Sequence, residues 1–301
     1  MDFGRLTPTQ LKKVDLGLPP EPALNSLQLK GKRSASQKVY TGCAKWGIKE
    51  WVGKLYPEGT KEAMFLKEYV NHYNCLELNA THYKIYPASS VKKWADQTRG
   101  HDFKYSPKVY KGISHFGNLS TKQHFTDDFL KALADGLEEQ LGPVFMQVSD
   151  RFTPKRKTEL FEYLATLPKD LTFFLEVRHP DWYIDPHRDE LFKKLQQLGI
   201  GSVITDAVGR RDCCHMHLTI PKTIIRFVGN SLHPTDYLRI DDWVNRIHLW
   251  LEKGIKEIYF FMHMHEETYS PELSQYLTQQ LNKVCGLNLK VPVIIKKKRK
   301  G

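Results

Sequence analysis

The sequence predicts an α/β fold, a single TIM-type (β/α)8 barrel with a polar N-terminal extension and a short basic C-terminal tail. Three observations carry this prediction. Short apolar or β-branched runs recur eight times, segments with helical apolar spacing lie between them, and the units follow one another at about the 30-residue interval expected when roughly 250 residues form eight β/α units. A doubly wound open sheet is the structural alternative, and the count of eight favours closure.

The elements follow in order. Residues 1–37 carry Pro8, Pro19, Pro20 and Pro22 with no sustained apolar periodicity, so they read as an extension lying outside the core. The barrel is expected over residues 38–290, with strands at 39–43, 75–79, 103–106, 144–148, 172–177, 202–205, 223–228 and 257–262. Helical spacing appears in Phe65, Leu66, Tyr69 and Val70, in Phe129, Leu130, Leu133 and Leu137, and in Leu191, Leu195 and Leu198. It returns in Trp243, Ile247, Trp250 and Leu251, and in Leu273, Tyr276, Leu277 and Leu281. After strand six, around Arg210 to Pro221, the pattern supports only a weak helix. Residues 291–301 form the basic tail, with five consecutive cations from Lys296 to Lys300.

Composition narrows the class. With 41% hydrophobic and 26% charged residues, the 301-residue chain falls in the globular range, away from disordered and membrane compositions. No apolar run approaches the roughly 18 residues that a membrane helix needs, and Met1 to Arg5 leads into polar sequence, so no membrane partner and a cytoplasmic location are expected. Five cysteines without a CxxC pair fit reduced thiols and are assigned no role. The net charge of +11 suggests an anionic partner, a phosphorylated small molecule or nucleic acid, although part of it resides in the tail.

In β/α barrels, chemistry gathers where strands run into the following loops, so the strand ends are read one by one. After strand one, Gly42 to Gly47 includes Trp46, whose indole is suited to wall a pocket or stack on a planar ligand. Strand two ends in Glu77, Asn79 and Tyr83, with Glu77 and Asn79 on one face. An inward carboxylate is costly unless partnered, and Arg178 is the expected partner. Strand five ends in Glu176, Arg178, His179 and Trp182, so carboxylate, guanidinium and imidazole are expected to converge there. Lys108 follows strand three, Gln147 lies on strand four, Asp206 ends strand six, Arg226 lies on strand seven and His263 ends strand eight. The sequence contains no GxxxxGK[ST] phosphate loop, GxGxxG dinucleotide loop, HExxH or GxSxG elbow, which argues against the corresponding enzyme classes.

Taken in order, Gly42-Cys-Ala-Lys-Trp46, Glu77-Leu-Asn79-Ala-Thr81-His-Tyr83, Phe103-Lys-Tyr-Ser-Pro-Lys108, Gly142-Pro-Val-Phe-Met-Gln147 and Glu176-Val-Arg178-His179-Pro-Asp-Trp182 resemble the family known as domain of unknown function 72. The resemblance spans roughly residues 38 to 285. It implies a TIM-type barrel with a pocket lined by Trp46, Glu77, Asn79, Lys108, Gln147, Glu176, Arg178 and His179, and no established reaction. His263-Met-His265 departs from the asparagine-rich turn that ends strand eight in many relatives.

The leading expectation is a hydrolase or lyase acting on a phosphate-bearing or nucleic-acid ligand. Lys108 and Arg178 would bind the anion, and Glu176, His179 and Glu77 are the candidate catalytic groups. The candidate ligand-binding set is Trp46, Asn79, Tyr83, Lys108, Gln147, Arg178, Trp182, Asp206, Arg226 and His263. No cofactor is required by these residues. Two alternatives are a non-catalytic nucleic-acid-binding barrel and a sugar isomerase using a divalent metal held by Glu176, Asp206 and His263. Oligomeric state is left open by the sequence.

Overall fold

A computed structural model describes residues 3–295, and the run Lys296 to Lys300 lies outside the described residues. Eight parallel strands form the sheet: β1 (Lys38–Cys43), β2 (Cys75–Leu78), β3 (Lys104–Pro107), β4 (Val144–Gln147), β5 (Phe173–Glu176), β6 (Gly201–Asp206), β7 (Lys222–Gly229) and β8 (Glu257–Met264). Their order is β3-β2-β1-β8-β7-β6-β5-β4. The two ends of that order meet: the Gly142 amide donates to the Tyr105 carbonyl at 2.7 Å and the Val109 amide to the Phe145 carbonyl at 2.9 Å. The result is a nearly closed α/β barrel of the TIM type.

Period-two alternation divides each strand between two cores. Tyr40, Cys75, Phe145, Phe174, Val203, Ile224, Tyr259 and Phe261 pack together inside the barrel, while the larger cluster joins the outward faces to the helices. Continuing each inward row by two residues places Glu77, Gln147, Glu176, Thr205, Arg226 and His263 one layer higher, at the C-terminal mouth. Polar residues therefore begin where the apolar filling ends.

Helices α1 (Pro8–Leu11), α2 (Phe65–Tyr69), α3 (Ala88–Thr98), α4 (Lys111–Ser114), α5 (Gln123–Leu137), α6 (Lys157–Ala165), α7 (His187–Leu198), α8 (Pro234–Glu252) and α9 (Ser270–Cys285) surround this ring, except α1, which belongs to the extension. Among the described residues, no helix is long and apolar enough to cross a membrane.

The weak helix expected after β6 is a single 3-10 turn, Arg211–Cys213. The segment Arg-Asp-Cys-Cys-His-Met-His offers no apolar stripe at helical spacing, so it has no face to bury as a helix. The N-terminal extension covers this stretch instead. Asn25 is fully buried there; its amide donates to the Met216 carbonyl at 2.8 Å and its oxygen accepts from the Leu218 amide at 2.7 Å. Leu18, Leu24 and Leu29 pack on the outer core, and Glu21 accepts a hydrogen bond from the Trp250 indole at 2.9 Å.

Candidate functional site

Inside the mouth, one arginine joins carboxylates from opposite sides of the barrel. Arg226, on β7, reaches Glu77 on β2 through two hydrogen bonds, Nε to Oε2 and Nη2 to Oε1, both 2.9 Å. Its Nη1 donates to Glu176 Oε2 on β5 at 2.7 Å. His263 on β8 donates from Nε2 to Glu77 Oε2 at 2.9 Å, and the Asn79 amide donates to Glu77 Oε1 at 2.8 Å. The second Glu176 oxygen accepts from Arg178 Nε at 2.8 Å. Bidentate geometry and charge assistance make these the stronger kind of hydrogen bond, as burial of two carboxylates requires.

The electrostatics follow from that wiring. Burial pushes the Glu176 carboxyl up, but the Arg178 and Arg226 guanidiniums outweigh it and hold the group at about 2. For Glu77, burial is likewise overcome, by Arg226 and His263, and the carboxyl sits well below its usual range. Both are therefore ionised at neutral pH, with their oxygens already engaged.

Lys108 is different. It is buried just past β3, and its amine donates to the neutral Gln147 Oε1 at 2.9 Å rather than to a carboxylate. Burial and then the Arg226 charge push it down to about 7, against the pull of Glu176 and Glu77. Arg178 also keeps capacity in reserve, since its Nη2 is buried without a hydrogen-bond partner among the described residues. His82 and His115, 4.9 Å apart, sit near this amine; burial and then Lys108 lower both to about 4, so both are neutral at pH 7.

The other predicted residues divide into two groups. Trp46, Asn79 and Tyr83 line one open groove of about 370 Å³ beside the mouth, with Tyr83 66% exposed. Three expectations require correction. Glu77 pairs with Arg226 and His263, not with Arg178, because its inward side chain shares a layer with those of β8, beyond β1 in the sheet, and of β7, the strand after β8. His179 does not converge on the carboxylates; its Nδ1 accepts from the Asp181 amide at 3.3 Å and caps the turn Pro180–Tyr183. Trp182 is fully buried, its indole donating to the Phe152 carbonyl at 2.7 Å, so it packs beneath the loop instead of facing the mouth.

Asp206 is the fourth correction. Adjacent to inward-facing Thr205, it points to the outer face under α8, where it meets Arg239 at 2.9 Å, the Trp243 indole at 2.8 Å, and Arg211. Glu176, Asp206 and His263 thus do not face one another, and no three His, Cys, Asp or Glu side chains among the described residues are grouped to hold a metal ion.

The sequence understates Arg226, and two residues that it does not single out also adjoin the mouth: the Phe3 ring lies against Arg178, and Arg210 donates to the Arg178 carbonyl. A single arginine in the apolar row Ile224-Ile-Arg-Phe-Val228 was the available signal for the first. For the other two there was none, since they reach the mouth from outside the strands.

The fold and this mouth define a class: a TIM-type barrel with an ionic network at the C-terminal end of its strands. The chain belongs to the family described as "Protein of unknown function DUF72", whose model it matches over residues 40–293. The UPF0759 protein YecE of Escherichia coli (strain K12) is 26% identical over 275 residues, covering 85% of this chain and 97% of that protein. The UPF0759 protein YunF of Bacillus subtilis (strain 168) is 25% identical over 211 residues, 64% of this chain and 71% of that protein. Among solved structures, the DUF72 family protein EF0366 from Enterococcus faecalis V583 superposes with a TM-score of 0.64 at 19% identity, covering 87% of this chain and 100% of that one. The DUF72 family protein TM1631 from Thermotoga maritima MSB8 gives 0.59 at 20% identity, covering 83% and 100%. Both structural likenesses support the fold alone.

Proposed function

We propose that this barrel is an enzyme, a hydrolase or lyase, acting at its C-terminal mouth on a small phosphate-bearing ligand. The observation that carries the reading is what remains uncommitted after the buried charges are paired. Glu77 and Glu176 are consumed by Arg226, Arg178, His263 and Asn79, and that leaves a guanidinium edge at Arg178 and, at Lys108, an amine whose hydrogen bond goes to the neutral Gln147 instead of a carboxylate. A guanidinium edge and an ammonium are matched to phosphate oxygens.

The proton-handling role falls to Lys108. Glu176, held at about 2, is a poor acid at neutral pH and its oxygens are occupied, so its part is to position Arg178 and Arg226. A group poised near 7 can give up or take a proton at working pH, which is the requirement for general acid–base catalysis.

The test is sulfate or phosphate binding by calorimetry in the wild type and in Arg178→Ala, with folding checked by circular dichroism. Losing a charge-assisted contact should weaken binding by roughly 10- to 100-fold. Equal affinity in the two proteins would remove Arg178 from the anion site.

A further inference from the structure

Both guanidiniums at the mouth also lie against an aromatic ring. The Phe3 ring lies over Arg178 at 4.0 Å and over Arg210 at 5.0 Å. We infer that Arg178 and Arg210 form a stacking shelf for a planar aromatic ring carried by the phosphate-bearing ligand, and that Phe3 occupies this shelf until the ligand displaces it. The inference rests on the anion site proposed above and extends it to a ligand class, a phosphate joined to an aromatic ring as in a mononucleotide.

The shelf is built without help from Phe3. Arg178 is fixed by Glu176 at 2.8 Å. Arg210 is fixed by Asp212, at 2.9 and 2.7 Å, and by the Arg178 carbonyl, to which its Nη2 donates at 2.5 Å. Two side chains held this firmly by other partners present their faces at little further entropic cost. A guanidinium can stack through its face while its edge hydrogen-bonds an anion. Arg178, with Nε committed and Nη2 lacking a partner, is therefore able to hold ring and phosphate together.

Phe3 is delivered by a built-in dock. Gly4 has φ +69°, a left-handed conformation that favours glycine, and its carbonyl accepts from the Gly209 amide at 3.0 Å. A Cβ on Gly4 would lie 2.9 Å from Ala207 Cβ, and one on Gly209 would lie 2.8 Å from the Gly4 carbonyl oxygen, so the two backbones approach as closely as glycine allows. Further along, Arg211 Nη2 donates to the Gly17 carbonyl at 3.0 Å. The loop after β6 thus holds the N-terminal segment against the mouth, but Phe3 itself is held by ring contacts weak enough for a ligand to replace. A ligand competing with such a plug shows an affinity reduced by the fraction of chains in which the shelf is covered.

Calorimetry on the full chain tests this with inorganic phosphate, ribose 5-phosphate, adenosine and adenosine 5′-monophosphate, in the wild type, Phe3→Ala and Phe3→Trp. Adenosine monophosphate should bind at least about 5-fold more tightly than ribose 5-phosphate, Phe3→Ala should widen that gap by about 5-fold, and Phe3→Trp should narrow it. Phosphate affinity should change less than twofold across the three proteins. If phosphate binds but the ring adds nothing, or neither Phe3 variant alters adenosine monophosphate binding, the shelf is refuted and the anion site stands. If adenosine binds better to Phe3→Ala while phosphate binds to none of the proteins, the anion site falls and the shelf stands. Binding of no probe to any of the proteins refutes both.

Discussion

Among the described residues, two carboxylate–guanidinium networks are buried, one inside the barrel and one outside it, and they differ in what is left over. Outside, Asp206 is surrounded by Arg239, Arg211 and the Trp243 indole, while Arg239 is further bonded to the Val228 and Asp206 carbonyls at 3.1 and 2.8 Å. Inside, Glu77 and Glu176 are equally satisfied, but the network ends in an Arg178 nitrogen without a hydrogen-bond partner among the described residues and a Lys108 amine resting on an amide. The outer network ties β6 to α8; the inner one lies at the C-terminal ends of the strands and keeps an unpaired donor at Arg178 among the described residues. Buried charge by itself therefore does not mark a site. In the proposed function, the feature that marks it is the uncommitted Arg178 donor beside the Lys108 amine.

The largest effect that can break this comparison is expected from Asp206→Asn. It takes from the buried Arg239 the nearer of its two carboxylates, leaving Asp236 at 3.4 Å, and should cost about 2–4 kcal/mol in urea denaturation, while sulfate affinity of the folded protein stays within about twofold. Loss of sulfate binding in that variant would mean that the outer network also serves the mouth.

A second, intermediate effect separates the networks by pH. Sulfate keeps its charge from pH 6 to 9, so its affinity should fall by about tenfold as Lys108 loses its proton through about 7, and Lys108→Met should flatten the profile. Stability carries a matching signature. The Lys108 amine titrates lower in the folded chain than its usual value near 10.4, so between about 7 and 10 the unfolded chain binds the extra proton and stability rises with pH. Glu176 and Asp206 are depressed, so their contributions are present above about pH 4 and are lost as pH falls through the folded values. Acid destabilisation should thus be common to both networks, and the alkaline rise should vanish in Lys108→Met alone.

The smallest effect concerns Thr205, the inward neighbour of Asp206. Its hydroxyl has no hydrogen-bond partner among the described residues. Thr205→Val should therefore change unfolding free energy by less than about 1 kcal/mol, in contrast to the residue beside it. A cost of several kcal/mol would place Thr205 in a network as demanding as that of Asp206.

Much of this was legible before the fold was known. Eight apolar runs at regular spacing specify the strands because a strand buried on both faces must be apolar along most of its length. Glu77, Gln147, Glu176 and Arg226 stand out in the sequence, since a charge or amide on such a run needs a partner. The face of Asp206 was not legible, since all six residues of β6 are buried and no exposed position reveals which parity faces inward. The choice of Arg226 over Arg178 as partner of Glu77 was equally hidden, because alternation assigns residues to a face but says nothing about which strands meet across the barrel.

Sequence by itself therefore determined the barrel, its strands and the height at which polar chemistry begins, all of which follow from local periodicity. Only the tertiary structure decided which carboxylate meets which guanidinium, that the amine of Lys108 rests on an amide, and that Phe3 reaches Arg178 from a distant extension. Those outcomes depend on separations across the closed barrel and its surface, and no period along the chain encodes them.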